Sequence, residues 1–167
     1  MRDTDNNRIN IYQIKGQAQS AAASEASTRA LIAQLHDSNP VVARNAAWAL
    51  THFTDEQLLA ILPMQSEFID LAISTDNSSL RRLVLNVIER QGIEFENMRT
   101  DFLDFCIDHM TAPTEAPGIQ SLCMKLAYRM CSYYPDLLLE FRYTLLMMEE
   151  GYATSVSTLR NKFLKLI

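Results

Sequence analysis

Arg44 and Trp48 stand four residues apart, so on a helix they share one face. A guanidinium fork beside an indole ring is suited to recognition: the fork grips a carboxylate or another anion, and the ring offers a flat apolar platform. The same ring could instead be buried, and the residues around it leave both readings open. The other reactive residue types are scattered. His36, His52 and His109 have no metal-ligand spacing. Cys106, Cys123 and Cys131 are odd in number, and Cys123 and Cys131 are too far apart for a redox or zinc pair. There is no Gly-rich phosphate loop and no nucleophile elbow. No catalytic residue, metal or cofactor is therefore expected, and the chemistry these residues support is binding.

The elements that position Arg44 are legible in the chain. Asp37-Ser38-Asn39-Pro40 forms a turn. Asn39 or Ser38 can cap the next helix, and proline suits its first turn. Val42, Ala46, Ala49, Leu50 and Phe53 then share an apolar face opposite Arg44 and Trp48. Similar helical segments follow. Leu31, Ile32 and Leu35 mark a helix over residues 28–36. Thr54 caps a segment that Pro63 breaks or kinks. Residues 80–91 make the next helix, with Gly92 as its stop. Helices are expected over 94–110, 119–133, 137–150 and 153–167. No segment alternates with period two, so no sheet is expected. Residues 1–24 read as an N-terminal arm or short helix, and 25–167 as one domain.

The segments repeat. Arg44, Arg82 and Gln120 are spaced by 38, as are Leu50, Ile88 and Leu126, and Leu31, Ile69 and Ile107; a fourth copy follows at 37. Two helices in a unit of that length are the sequence mark of an α-solenoid. At Asp37 to Arg44, with Ala46 and Leu50, the chain resembles the HEAT and armadillo-like repeat superfamily. The resemblance covers roughly residues 28–167. It is closest in the first repeat and weakest in the last two, where a long turn and Gln120 depart from the pattern. It implies an all-α, right-handed α-α superhelix of about four HEAT-like helical hairpins. It also implies that second helices line the concave side.

Charge sorts by helix. The net charge of −5 opposes whole-surface attraction to nucleic acid or anionic membrane. Yet the second helices sum to +7, while the first helices with their turns sum to −13. Part of that division is local helix electrostatics. The rest is expected to give a basic concave stripe of Arg44, Trp48, Arg82, Asn86, Arg90, Gln120 and Tyr128. The expected function is a non-catalytic scaffold that binds a partner protein through an acidic segment. The alternative is a nucleic-acid binder resembling the HEAT-like DNA alkylation-repair glycosylases. No apolar run of transmembrane length occurs, so no membrane partner is expected. A polar N-terminus and an odd cysteine count point to the cytoplasm.

Overall fold

The computed structural model describes residues 9–148 and 150–167. Ten α-helices and no strand occur among them. The chain divides into two compact units after Ala60.

The first unit begins with α1 (Ile11–Ala22), a helix where the sequence allowed either an arm or a helix. Its start is a reciprocal cap: Asn10 Oδ1 accepts from the backbone of Tyr12 and Gln13, and Gln13 Oε1 accepts from Asn10 N. Ile14, Ala18 and Ala21 recur at helical spacing and are buried. α1 packs on α2 (Glu25–Ala33) and on α3 (Pro40–Leu50). Ser24 caps α2, which ends in a 3-10 turn at Gln34–His36. The turn into α3 forms as its residue types dictate. Asp37 Oδ1 accepts from Asn39 N, and Asn39 Oδ1 accepts from Val41 N with Pro40 in the first turn. Ala43, Ala46, Ala47, Ala49 and Leu50 of α3 are all buried, and the small alanines let neighbouring backbones approach. α4 (Asp55–Ala60) opens with a Thr54–Gln57 capping box.

Pro63 ends a helix rather than kinking one. Residues Leu62–Met64 form a 3-10 turn, and α5 runs Gln65–Ser74. The second unit continues with α6 (Ser78–Gln91), α7 (Thr100–Thr111), α8 (Pro117–Cys131), α9 (Pro135–Met147) and α10 (Thr154–Leu166). Consecutive helices pair as α5/α6, α7/α8 and α9/α10. The pairs stack: α6 packs on α8 and α8 on α10, while α5 packs on α7. Second helices therefore form one layer and first helices the other.

Side chains tie each pair. The last carbonyls of a helix have no partner within it, and here the following helix supplies donors. Arg81 of α6 donates from Nε to Ala72 O at 2.9 Å and from Nη2 to Thr75 O, at the end of α5. Gln120 of α8 donates to Ala112 O at 2.7 Å, past the end of α7. Arg160 of α10 donates to Leu145 O of α9 at 2.6 Å. Other donors act at the far end of the α5/α6 pair and between successive pairs. Buried Gln65 reaches Gly92 O at 2.7 Å, Tyr133 reaches Ile93 O at 2.7 Å, and Tyr152 reaches Thr111 O at 2.7 Å.

One expected boundary moves. The helix expected from residue 94 starts at Thr100, and Phe95–Asn97 is a 3-10 turn. Arg99 holds the chain extended there. It binds Asp101 and reaches back to Asp70 (2.7 Å) and Ser66 of α5. Phe95 turns away onto Tyr133 and Tyr134, with ring centroids 5.7 Å apart in each case.

Candidate functional site

Burial along the second helices gives their true register. α3, α6 and α8, counted from their first residues, bury the seventh, eighth, tenth and eleventh positions alike. Those positions are Ala46, Ala47, Ala49 and Leu50; Val84, Leu85, Val87 and Ile88; and Cys123, Met124, Leu126 and Ala127. The step from α3 to α6 is the expected 38 residues, whereas the step from α6 to α8 is 39 (Ser78 to Pro117). The turn after α7, residues 112–116, is longer than the turn 75–77 after α5.

This shift reassigns Gln120. At a spacing of 38 it would continue the Arg44 and Arg82 row; in the structure it is 2 % exposed, and its amide is committed to the Ala112 carbonyl. It matches Arg81, the staple of the preceding pair. Ser121, half-buried, holds the position of Arg82.

The remaining expected residues fall in both units. Arg44 and Trp48 lie in the first, one helical turn apart on α3 and both half-buried. Arg44 donates from Nη2 to Asn45 Oδ1 at 3.1 Å, and its Nε is buried without a partner among the described residues. The Trp48 ring lies 6.5 Å from that of His52. In the second unit Arg82 is exposed, and its stem crosses Gly118 at the start of α8; a Cβ there would come within 3.2 Å of Arg82 Cδ. Asn86, Arg90 and Tyr128 are half-buried.

Tyr128 leads to a hollow that the fixed spacing missed. Its ring stacks on Phe163 of α10 at 4.3 Å, and Phe141 meets Phe163 edge-on at 6.2 Å. The aromatic pair floors a hollow of about 530 Å³ between α8 and α10. Lys125, Arg129 and Lys162 line it, with Glu89 the one carboxylate. All three cations are exposed. Lys125 and Lys162 occupy the ninth position of their helices, the position of Asn86 in α6. The guanidinium of Arg129 lies over Gly92, whose φ of +78° is natural only to glycine. These positions line up only from the helix starts that the structure gives, two residues earlier than the sequence placed them in α6 and α8 and one later in α10.

Several other titratable groups are held within the fold. His109 Nδ1 meets Glu115 Oε2 at 2.5 Å, and Glu115 also accepts from Ala116 N, which ties the turn between α7 and α8. Arg99 hydrogen bonds hold the Asp101 carboxyl below its ordinary range, and the two carboxylates raise Arg99 further. Burial pushes the Cys106 thiol well up and Cys131 to about 11. Cys106, Cys123 and Cys131 are all free and buried. Among the described residues no cluster of three His, Cys, Asp or Glu side chains could hold a metal ion. No described helix is long and apolar enough to cross a membrane.

Paired helices stacked in two layers, tied at their ends by polar side chains, define a helical-repeat scaffold. The chain belongs to the HEAT repeat family: the HEAT repeat domain matches residues 1–167. No curated protein and no solved structure gives a significant match. HEAT repeats commonly mediate protein interactions.

Proposed function

We propose that the chain is a non-catalytic scaffold that binds an acidic segment of a partner protein on the second-helix face of α6, α8 and α10. The observation that carries this reading is the sorting of exposed charge in the second unit. Arg82, Lys125, Arg129, Lys162 and Lys165 are exposed on second helices, while Glu67, Asp70, Asp101, Asp104 and Asp108 are exposed on first helices. A one-signed surface beside an aromatic floor favours an acidic chain carrying an apolar or aromatic anchor. The free thiols support a place in the reducing cytoplasm.

The test uses a labelled acidic peptide with one central Trp, titrated into the full chain. Lys125→Glu with Lys162→Glu is expected to weaken binding by about tenfold or more, since both cations line the hollow. Both residues are exposed, so the fold should persist, as circular dichroism would show. Unchanged affinity would end the reading. Oligonucleotide binding that exceeds peptide binding and falls steeply with salt would replace it with the nucleic-acid alternative.

A further inference from the structure

The outer face of α9 differs from those of α5 and α7. On α7 the exposed positions are Thr100, Asp101, Asp104 and Asp108, and on α5 they are Ser66, Glu67, Asp70 and Ser74. On α9 the exposed positions along the same kind of face include Leu139, Tyr143, Leu146 and Met147. These are 49 %, 59 %, 48 % and 79 % exposed. They recur at three- and four-residue steps, so they form one stripe. The opposite side of the helix buries Phe141 and Leu145. α9 is thus apolar on both sides, though only one side meets its own fold. A hollow of about 600 Å³ opens beside the stripe, between Tyr143, Met147 and Tyr152 on one side and Thr111 and Pro113 on the other.

Charge decides what fits this stripe. Asp136 and Glu140 are exposed along its first half, and Glu150 is exposed just beyond its end. Arg142 is the single cation between Pro135 and Ala153; it is half-buried and donates to Leu164 O at 3.3 Å. A second copy of α9, parallel or antiparallel, would set carboxylates against carboxylates at the stripe's ends. Like charges so placed oppose pairing. A helix with an apolar stripe flanked by lysines or arginines meets no such penalty. Helices of that kind recognise a surface through anchors at i, i+3 or i+4, and i+7.

We propose that Leu139, Tyr143, Leu146 and Met147 of α9, flanked by Asp136, Glu140 and Glu150, form a docking stripe for a basic amphipathic helix of a partner protein. One large apolar anchor of that helix enters the hollow beside Tyr143 and Met147. This surface lies on first helices and is independent of the acidic-peptide face. Each can fail without the other.

The probe is a designed labelled peptide of about 18 residues, long enough for a helix to form on binding. It carries Leu and one Trp on one stripe and Lys elsewhere. A peptide with Glu in place of every Lys and one with the same residues scrambled are the controls. The full chain should bind the basic amphipathic peptide and neither control. Tyr143→Ser with Met147→Ser should weaken binding at least tenfold while the melting temperature holds, because both residues are exposed. Asp136→Lys with Glu140→Lys should reverse the preference between the basic and acidic peptides. Lys125→Glu with Lys162→Glu should leave this binding as it was, which separates the two surfaces. Three results would overturn the proposal: no binding of the basic peptide at about 0.1 mM, binding indifferent to the serine variants, or self-association of the chain that those variants abolish.

Discussion

Gln120→Met tests the register directly. Methionine is close to glutamine in shape and suits a helix, so it removes the amide with little change in packing. The lost interaction is the 2.7 Å hydrogen bond from Gln120 Nε2 to Ala112 O. A neutral hydrogen bond contributes about 0.5–1.5 kcal/mol net, and a stranded buried acceptor adds to its loss. Ala112 is half-buried, so water recovers part of that carbonyl's solvation. Gln120 itself is 2 % exposed, so a methionine there gains a little apolar burial. The balance is a loss of about 1–2 kcal/mol. At this chain length that lowers the melting temperature by about 2–8 °C. Thermal melts and urea titrations would read it. Acidic-peptide affinity should stay within about twofold, since Gln120 presents nothing to the second-helix face. Full stability with weakened peptide binding would refute the reasoning, restore the 38-residue register and return Gln120 to the binding row. The complementary change is Ser121→Arg, which should raise acidic-peptide affinity, because Ser121 holds the position of Arg82.

Gly92→Ala should cost at least about 1 kcal/mol in chemical denaturation, because φ is +78° and the Arg129 guanidinium occupies the space of a Cβ; a variant as stable as the parent would show that Arg129 moves away freely. Native protein should react slowly with a thiol reagent at mildly alkaline pH and release its three thiols only on unfolding, because all are buried and burial raises Cys106 and Cys131; a fast-reacting native thiol would contradict that burial. The Asp101 carboxyl is depressed by Arg99, so its contribution is complete above the ordinary carboxylate range and is lost as pH falls through the depressed value. Asp101 is more than half exposed, so solvent screening limits the effect to about 0.5 kcal/mol. Asp101→Asn should flatten the acid limb of the stability profile by that amount, read by denaturation below about pH 4.

Much of the fold was legible because it rests on local chemistry. Asn39 before Pro40, Thr54 with Gln57, and Gly92 after α6 each satisfy or end a helix within a few residues, and each sits where its type places it. The start of α7 was not legible, because Arg99 finds partners on α5. Asp70 and Ser66 lie 29 and 33 residues earlier, and nothing near Glu94 announces them. Apolar Phe95 and Met98 continue a helical pattern that this tertiary contact overrides.

The basic charge of the second helices was legible, but not which of their cations stand exposed. Sorting charge by helix found the basic second helices, yet Arg81 and Arg160, counted among them, are bound to carbonyls of the preceding helices. A repeat protein needs donors at these ends, and arginine or glutamine can supply them. Basic residues near the start of α6 therefore divide into a staple and an exposed side chain, and one residue of register separates the two. Arg81 and Arg82 are neighbours: the first closes the α5 carbonyls, while the second lies exposed across Gly118. In α8 the same pair of positions reads Gln120 and Ser121, so the staple survives without charge and the exposed position carries no cation. Lys125, one helical turn beyond Ser121, brings the charge back where the hollow opens, and Lys162 of α10 lines the same hollow. The exposed basic position of the second unit thus moves one turn along the helix between α6 and α8. On the proposed reading, mutations paired as Arg82 with Lys162 should couple through one bound acidic peptide, and purely additive losses would count against it.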